Sequence, residues 1–484
     1  MYIGVDLGTT SVKLILVQSN GHVIRTVSKT FDLLIPQSSW TEQNPEIWYQ
    51  QTIQGLLELI AGYESTIRAI SFSGQMHGLV ILDEKDQVLR NAILWNDQRT
   101  TSEVQYLNEH IGINKLQAET GNIAITGLTA PKLLWVKQNE PSIFNKISKI
   151  MLPKDYLAYR LSGIFATDVT DASGTLLYDV AQKQYSQFML DVIGLDSSCY
   201  PLVMESSACI GHLQPEIASF LSLSSSVKIV IGAGDQAAGA VGVGIVESGE
   251  CSISLGTSGV IFVASNQFKV DHKHFLQSYA HANGKYHMMS VMLNAAGALR
   301  WWSEDVLNRS DYTSFFEQLS HTPIEDTIFF LPYLSGERSP INDPYARGLL
   351  IGFGLEHQKT HIDRAIIEGV TFALKQSFSL IQDLGVDIRR IRLTGGGAKS
   401  QVWSQMIADI MGIEAVTIDI EEGPAFGAAI LAMVGDGLFD TVESACKKLI
   451  HIHRHFVPDN PRSSQYNQKY ERFIKIYPTV KALF

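Results

Sequence analysis

The sequence predicts an α/β protein with mixed β-sheets flanked by helices, built from two similar halves. Three observations predict this class: strand patterns alternate with amphipathic helix patterns, glycine-rich turns join them, and one strand–turn–strand pattern occurs twice. The chain has 484 residues, enough for more than one domain. Its 45% of hydrophobic and 18% of charged residues are typical of a globular protein.

The repeated pattern is an apolar strand, a Leu-Gly-Thr turn and a second apolar strand. Its first copy spans Tyr2–Val17 and its second spans Cys251–Ala264. A further strand is predicted after each copy, at Val23–Val27 in the first and at Tyr286–Val291 in the second. Each half therefore opens with a β-meander, and we expect the boundary between the halves in the glycine-rich stretch Gly232–Gly249.

Helix and strand signals alternate through the rest of the chain. Asn44, followed by a proline and a glutamate, predicts the start of a helix, and strand Ile67–Phe72 comes after that helix. A long helix is predicted over Thr360–Leu384. Strand Ile391–Leu393 then leads through a glycine-rich turn into a helix over Ser400–Met411.

Charge and cysteine content exclude several classes of protein. The 38 basic and 49 acidic residues give a net charge of −11, which argues against a nucleic-acid or anionic-membrane partner. The 4 cysteines are scattered and form no Cys-x-x-Cys pair, so a disulfide framework or a zinc site is not expected. Because neither a signal peptide nor a membrane span is recognisable, we expect a cytoplasmic protein.

Two Gly-Thr turns, one in each half, are predicted to bind phosphate. The first comprises Gly8, Thr9 and Thr10, and the second comprises Gly256 and Thr257. Their backbone N–H groups and hydroxyls suit phosphate oxygens, so two such loops facing each other across a cleft would hold a polyphosphate. A single turn of this kind is also an ordinary hairpin turn, but its duplication at matched places favours phosphate binding.

Further residues near these turns extend the nucleotide hypothesis. Asp6 precedes the first loop, where its charge would repel a phosphate unless Mg²⁺ lay between them, and Lys13 follows the loop. The run Gly395, Gly396, Gly397 and Ala398 joins a strand to a helix, where adenosine or phosphate could pack on bare backbone. A simple strand-to-helix turn is the alternative. The small residues of Glu422–Ala429 predict a flat purine slot.

Asp235 is the candidate general base. It lies in Gly232–Ala237, which satisfies the Gly-x-Gly-x-x-Ala pattern of dinucleotide-binding dehydrogenases. The charge of Asp235 inside that loop would oppose a pyrophosphate, so a carboxylate at a cleft fits a general base better. An aspartate in a surface turn is the remaining alternative.

Polar and aromatic side chains follow two predicted strands. Met76 and His77 come after the first, and Trp95 and Asp97 come after the second. Open α/β sheets bind ligands at such strand ends, and this mixture suits a polyhydroxylated substrate. A lone histidine at such a place is more often structural.

These motifs occur together, in the same order, in a known family. Gly127–Asn139 and Gly348–Glu368 resemble the two signatures of the FGGY carbohydrate kinases, although Phe353 replaces a smaller aliphatic residue in the second. Within that family, Gly74–Gly78 and Leu152–Tyr156 are most similar to the bacterial xylulose kinases. The resemblance covers nearly the whole chain.

The resemblance implies two ribonuclease H-like domains of the actin/hexokinase superfold with an interdomain cleft. Residues 1–243 would form the sugar side and residues 244–484 the nucleotide side. It also implies an ATP- and Mg²⁺-dependent kinase that phosphorylates the terminal hydroxyl of D-xylulose, and a homodimer. The alternatives are another ketose, polyol or sugar acid as the acceptor, such as ribulose or gluconate, then an actin-like ATPase, then a dehydrogenase.

The resemblance also assigns roles to individual residues. Asp235 matches the catalytic base, and Asp6 matches the acid that binds Mg²⁺ through water, with Asp235 as a further candidate ligand. Met76 and His77 match the sugar contacts, while Gly256, Thr257 and Gly395–Ala398 match nucleotide-binding positions. Gln236 stands where some xylulose kinases have an asparagine that touches sugar hydroxyls, which leaves the sugar epimer open.

Overall fold

The computed structural model describes residues 1–419 and 422–484. The chain groups into two compact units, and the first combines Met1–Val246 with Ser278–Tyr286 and Ile420–Ile450. The second unit comprises the remaining segments. This grouping differs from the predicted division after residue 243, because the helix Gly423–Asp436 packs against the sheet of the first unit.

The elements of the first 246 residues form one mixed sheet, several two-stranded pairs and the surrounding helices. The strands are β1 (Tyr2–Leu7), β2 (Ser11–Val17), β3 (Val23–Thr30), β4 (Glu42–Gln43), β5 (Ala69–Gly74), β6 (Val80–Leu82), β7 (Ala92–Ile93), β8 (Lys149–Met151), β9 (Ala166–Asp168), β10 (Tyr178–Asp179), β11 (Gln184–Tyr185), β12 (Leu202–Met204), β13 (Cys209–His212) and β14 (Lys228–Gly234). The helices are α1 (Pro45–Ile60), α2 (Thr101–Gln105), α3 (Ile113–Thr120), α4 (Thr129–Asn139), α5 (Pro141–Phe144), α6 (Pro153–Ser162), α7 (Val169–Ser173), α8 (Gln187–Ile193), α9 (Pro215–Leu221) and α10 (Asp235–Gly242).

The rest of the chain again alternates strands with helices. Its strands are β15 (Glu250–Leu255), β16 (Gly259–Ser265), β17 (Gln277–Ala280), β18 (Tyr286–Met292), β19 (Phe329–Leu331), β20 (Leu349–Ile351), β21 (Arg390–Thr394), β22 (Ala415–Ile418) and β23 (Ile452–Phe456). Its helices are α11 (Ala296–Arg300), α12 (Tyr312–His321), α13 (Lys359–Asp383), α14 (Gln401–Met411), α15 (Gly423–Asp436), α16 (Val442–Leu449) and α17 (Asn460–Val480). No helix among the described residues is long and apolar enough to cross a membrane.

The main sheet of the first unit has the order β13–β14–β5–β1–β2–β3. Strands β14, β5 and β1 are parallel, whereas β13, β2 and β3 run antiparallel to their neighbours. Parallel neighbours need crossover connections, and the helices of those connections cover both faces of a sheet. The predicted mixed α/β architecture is confirmed.

Alternation along β1 sends its side chains into two different cores. Ile3, Val5 and Leu7 pack with residues of α1 and α6 on one face. Tyr2 packs with residues of α15 and α10 on the other face. Because side chains alternate along a strand, Asp6 belongs to the same face as Tyr2. The sequence pattern of this strand therefore places a carboxylate at the end of a face that α15 covers.

The second unit repeats the topology of the first. Its main sheet includes the order β18–β16–β15–β21–β22–β23, which matches β3–β2–β1–β5–β14–β13 strand by strand. The pairing directions from β16 to β23 also match those from β2 to β13. The predicted duplication is confirmed, and the two Gly-Thr turns occupy equivalent positions, after β1 and after β15.

The predicted element boundaries differ from the structure by about two residues. Asn44 caps α1, and its side chain accepts the Glu46 N–H at 3.0 Å. The cap of α13 is Gln358 instead of the predicted Thr360. Strand β5 ends at Gly74, beyond the predicted end at Phe72.

Backbone-to-backbone contact joins α15 to α10 and β1. A Cβ atom on Gly427 would lie 1.8 Å from the carbonyl oxygen of Ala238, and one on Gly4 would lie 2.0 Å from that of Ala425. Gly427 therefore serves helix packing in the first unit, since no side chain would fit at its position. The purine slot stays a prediction for the start of the helix.

Gly427→Ala is expected to destabilise the first unit by about 1–3 kcal/mol or more, because overpacking a rigid backbone contact forces the helices apart. Gly423→Ala on the same helix is the control, since its Cβ would meet no atom within 4 Å. Urea unfolding of both variants measures the difference. Equal stability losses in the two variants would contradict the packing argument.

Candidate active site

Two carboxylates lie at the carboxyl ends of parallel strands in the first sheet. Asp6 is the penultimate residue of β1, and Asp235 directly follows the end of β14, with β5 between these strands. In the strand register Asp6 pairs with Ser73, and Ser73 pairs with Ala233. Ligands of open α/β sheets bind at such strand ends, so the two carboxylates occupy the usual position of a catalytic site.

Desolvation sets the protonation of both acids. It raises the pKa of Asp235 to about 7, with a further contribution from the charge of Asp6, although hydrogen bonds from Gln236 oppose the shift. Desolvation also raises the pKa of Asp6, against the Ser73 hydroxyl that donates to it at 2.9 Å and the charge of Lys13. A carboxyl group with a pKa near 7 is suited to accept a proton at neutral pH.

The same pair fits a magnesium ion. Two desolvated carboxylates repel each other, and a divalent cation between them would relieve that repulsion. Mg²⁺ is commonly held by one or two carboxylates together with water and substrate phosphates. Across 1–419 and 422–484, the structure contains no group of three or more His, Cys, Asp or Glu residues that could hold a metal ion. The donor set is thus one in which a nucleotide would supply further ligands.

The first Gly-Thr loop is supported by side chains from outside it. The Gln43 side-chain amide donates to the Thr9 carbonyl oxygen at 2.6 Å, and the Trp95 indole N–H donates to the Thr9 hydroxyl at 3.0 Å. Gly8 begins the turn, and Thr10 is exposed. Sequence reasoning missed Gln43, because its strand β4 has two residues and carries no motif. Trp95, predicted as a sugar contact, donates a hydrogen bond to this Gly-Thr loop.

Lys13 lies on the same face of the sheet as Asp6, opposite it in the β1–β2 register. Its ammonium group forms an ion pair with Glu422 at 2.9 Å, and both side chains are partly exposed. The structure therefore places the predicted nucleotide-binding lysine between Asp6 and the start of α15.

Met76 and His77 follow β5, and the backbone of His77 is left-handed, with φ of 66°. The Nδ1 atom of His77 lies 2.8 Å from the Gly174 carbonyl oxygen. The buried Lys132 ammonium donates to the His77 carbonyl oxygen at 2.7 Å. A Cβ atom on Gly174 would lie 2.7 Å from the His77 ring, so this glycine is required for the observed ring position. Met76 is buried beside them.

Asp97 does not occupy the predicted sugar-binding position. It is fully buried, and the Arg99 guanidinium donates to its two carboxylate oxygens at 2.9 and 2.8 Å. The Thr41 backbone N–H donates to it at 2.6 Å. These partners occupy the carboxylate, so Asp97 stabilises the loop after β7 and does not bind a sugar.

The second unit contains a cavity of about 830 Å³. Of the predicted nucleotide residues, Gly256, Thr257, Gly396 and Gly397 line it, whereas Gly395 and Ala398 do not. The remaining walls come from α11, α12 and the start of α14. Sequence reasoning missed these walls, which include Arg300, Tyr312, Phe316 and Glu317, because α11 and α12 carry no recognisable motif.

Two glycines of the run before α14, Gly395 and Gly396, serve different functions. Gly395 has φ of 80°, and a Cβ atom on it would lie 2.8 Å from the Leu255 carbonyl oxygen, so it is needed for the turn. A Cβ atom on Gly396 would meet nothing within 4 Å. Gly396 therefore leaves bare backbone beside open space at the cavity wall, where a flat ring can pack.

Asp235→Asn is expected to stabilise the free protein more at pH 8 than at pH 5. The folded pKa of about 7 lies above the unfolded value near 3.9, so the stability contribution of the carboxyl is lost as pH rises toward and through 7. The gap between variant and wild type should widen by about 2–3 kcal/mol. Thermal unfolding without divalent cations measures it.

The exposed Asp440 provides the control for this comparison. Asp440→Asn makes the same chemical change at an exposed position and sets the baseline against which the gap for Asp235→Asn is measured. A constant difference between Asp235→Asn and wild type from pH 5 to pH 8 would contradict the raised pKa.

Comparison with known proteins places the chain in a family. The N-terminal domain model of the FGGY family of carbohydrate kinases matches residues 1–242, and the C-terminal domain model matches residues 251–435. A protein named xylulose kinase from Bacillus subtilis is 39% identical over 486 residues, covering 99% of this chain and 97% of the relative. Its counterpart from Escherichia coli is 38% identical, covering 99% and 98%.

Solved structures agree with these matches. A structure described as a xylulose kinase from Brucella ovis has a TM-score of 0.95 and 35% identity, covering 100% of both chains. A gluconate kinase from Lactobacillus acidophilus has a TM-score of 0.93 and 28% identity, covering 99% of this chain and 98% of that chain. Together with the carboxylate pair and the glycine-lined cavity, these full-length matches show that the chain belongs to the FGGY family of carbohydrate kinases.

Proposed function

We propose that the chain transfers the γ-phosphoryl group of ATP to the terminal hydroxyl of D-xylulose, giving D-xylulose 5-phosphate and ADP. The observation that carries this proposal is the pair Asp6 and Asp235 at neighbouring strand ends, with the pKa of Asp235 raised to about 7. The identity to proteins named xylulose kinase, over the full length of both chains, supports the acceptor.

Asp235 acts as the general base in this mechanism. Its carboxylate takes the proton of the terminal hydroxyl while the oxygen attacks the γ-phosphorus in line. A bond forms between that oxygen and phosphorus, and the bond to the β,γ-bridging oxygen breaks, so ADP leaves with the electron pair. General-base assistance of this kind is typically worth about 10²–10⁴-fold in rate.

Asp6, through water, and Asp235 are the residues that would hold Mg²⁺. When bound, Mg²⁺ supplies positive charge that offsets the negative charge of the phosphates. The donors of Gly8, Thr9 and Thr10 would bind phosphate oxygens. The Gln43 side chain holds that loop through its hydrogen bond to the Thr9 carbonyl oxygen.

The proposed nucleotide site is the glycine-lined cavity of the second unit. Gly256, Thr257, Gly396 and Gly397 line this cavity and would present backbone to the nucleotide. Met76, His77 and Gln236 are the proposed sugar contacts in the first unit. The predicted division into a sugar side at residues 1–243 and a nucleotide side at residues 244–484 is kept as part of this proposal.

Two further expectations rest on the family resemblance. A homodimer stays a prediction, as does a cytoplasmic location. Neither affects the proposed chemistry, since each candidate residue named above belongs to a single chain.

Gluconate is the second candidate acceptor. The gluconate kinase from Lactobacillus acidophilus has a TM-score of 0.93 to this chain, close to that of the named xylulose kinases. The fold alone therefore leaves the acceptor open, and the side chains around His77 and Gln236 decide it.

ADP release with Mg·ATP should be stimulated most by D-xylulose in a panel that also contains L-xylulose, D-ribulose, L-ribulose, gluconate and glycerol.

Asp235→Ala should lower turnover by about 10²–10⁴-fold, because the variant lacks the base that takes the proton of the acceptor hydroxyl. Binding of ATP and sugar should persist in that variant, as calorimetry would show. Turnover like that of wild type in Asp235→Ala would refute the mechanism, and stronger stimulation by another acceptor would refute D-xylulose.

Gly396→Val should raise the KM for ATP about tenfold or more, because its side chain extends into the space beside the cavity wall. The KM for the sugar should stay unchanged. Gly396→Ala is the matched control, since it adds only a Cβ atom for which there is room, and its effect should be smaller. Initial rates at varied ATP measure both, and equal KM values for ATP in all three proteins would argue against nucleotide binding in this cavity.

A further inference from the structure

A buried polar network lies beside the end of β14, the strand that leads into Asp235. The Lys154 ammonium group is fully buried and lies 2.6 Å from Asp155, 3.0 Å from Asp168 and 3.3 Å from Asp171. All four side chains are inaccessible to water. Burying such a cluster of charged groups costs free energy, which its mutual contacts must offset.

Two hydroxyl groups connect this network to the glycines before Asp235. Thr170 donates its hydroxyl to Asp168 at 2.6 Å and accepts the Gly234 N–H at 2.9 Å. Ser206 donates its hydroxyl to the same carboxylate oxygen at 2.6 Å, and its carbonyl oxygen accepts the Gly232 N–H at 3.0 Å. Asp168 is therefore the common anchor of two bonds that hold the loop.

The direction of the Thr170 hydroxyl is determined by Asp168. A hydroxyl has one proton to donate, and the backbone N–H of Gly234 can only donate. Because the Thr170 hydroxyl donates its one proton in the hydrogen bond to Asp168, its lone pairs accept the hydrogen bond from the Gly234 N–H. The hydroxyl thus presents a fixed acceptor to the peptide unit that precedes Asp235.

The end of β14 contains two glycines, which by themselves restrict its backbone little. Gly232 has φ of 79°, and a Cβ atom on it would lie 1.9 Å from the Phe72 carbonyl oxygen. A Cβ atom on Gly234 would lie 2.8 Å from Met76 Cγ. Gly232 must be glycine, a side chain at Gly234 would displace Met76, and glycine restricts the backbone least. Hydrogen bonds from the network replace the restriction that side chains would have supplied.

We propose that Thr170 is a positioning residue for phosphoryl transfer, holding the Gly234 amide so that the Asp235 carboxylate points at the acceptor hydroxyl. Ser206 supports it through their shared partner, Asp168. The inference rests on the proposed function, in which Asp235 is the base. It predicts a defect in turnover, because displacement of a catalytic group by about 1 Å can cost 10²-fold in rate.

Thr170→Val tests the proposal, since valine keeps the shape of threonine and removes the hydroxyl. We expect kcat to fall about 10–100-fold with D-xylulose and Mg·ATP, while both KM values stay within about threefold. Thr170→Ser keeps the hydroxyl and should restore kcat to within about threefold of wild type. Thr52→Val is the matched control: Thr52 is equally buried, but its hydroxyl bonds only within α1, to the Trp48 carbonyl oxygen.

A kcat for Thr170→Val equal to that of wild type would overturn the proposal, as would equal kcat losses in Thr170→Val and Thr52→Val. If Thr170→Val does not fold, as judged by circular dichroism, Ser206→Ala takes its place. Ser206→Ala removes the other hydroxyl that donates to Asp168, but the acceptors of the Gly232 and Gly234 N–H groups remain. We therefore expect kcat to fall about threefold to tenfold. An unchanged kcat would overturn the proposal. Failure of the proposed function is distinguishable, because wild type itself would then phosphorylate none of the acceptors.

Discussion

The enclosure of two carboxylates, Asp6 and Asp235, at one edge of the first sheet is the constraint on which the site depends. Both lose water, and this desolvation, together with the charge of Asp6, raises the pKa of Asp235 to about 7. This arrangement works against stability and in favour of proton transfer. The structure around it must therefore supply rigidity from elsewhere.

That rigidity comes from close backbone contacts and from buried polar groups. Helix α15 approaches β1 and α10 so closely that Gly4 and Gly427 have no space for a side chain. Beside the end of β14, the carboxylate of Asp168 accepts hydrogen bonds from two hydroxyl groups and lies 3.0 Å from Lys154. Dispersion contacts and hydrogen bonds thus hold the strand ends in place while like charges oppose each other there.

The fold and the backbone elements of the site could be predicted from the sequence, because local patterns encode them. Strand alternation places Asp6 at a strand end, and the Gly-Thr turns reveal the duplication. The role of Asp97 could not be predicted, because its partner Arg99 is a neighbour whose side-chain direction no pattern reveals. The same limit applies to Gln43 and Thr170, which act through long-range contacts with Thr9 and Gly234.

Contacts between segments that are distant in sequence also cannot be predicted from sequence periodicity. Glu422–Ala429 has the composition of a ligand-binding helix start, yet its small residues permit helix packing in the first unit. Small residues allow close approach of either a ligand or another backbone. Only the neighbour across the contact distinguishes these two cases, and that neighbour is a product of tertiary structure.

The duplication itself explains how one turn serves two purposes. The first copy reads Asp-Leu-Gly-Thr and the second Ser-Leu-Gly-Thr, so Asp6 and Ser254 are equivalent. An acid at that position suits a reacting phosphoryl group with its cation, whereas an uncharged serine leaves the second loop free of repulsion toward a nucleotide. A single exchange of charge at the end of the first strand thus separates the proposed chemistry of one half from the proposed binding function of the other.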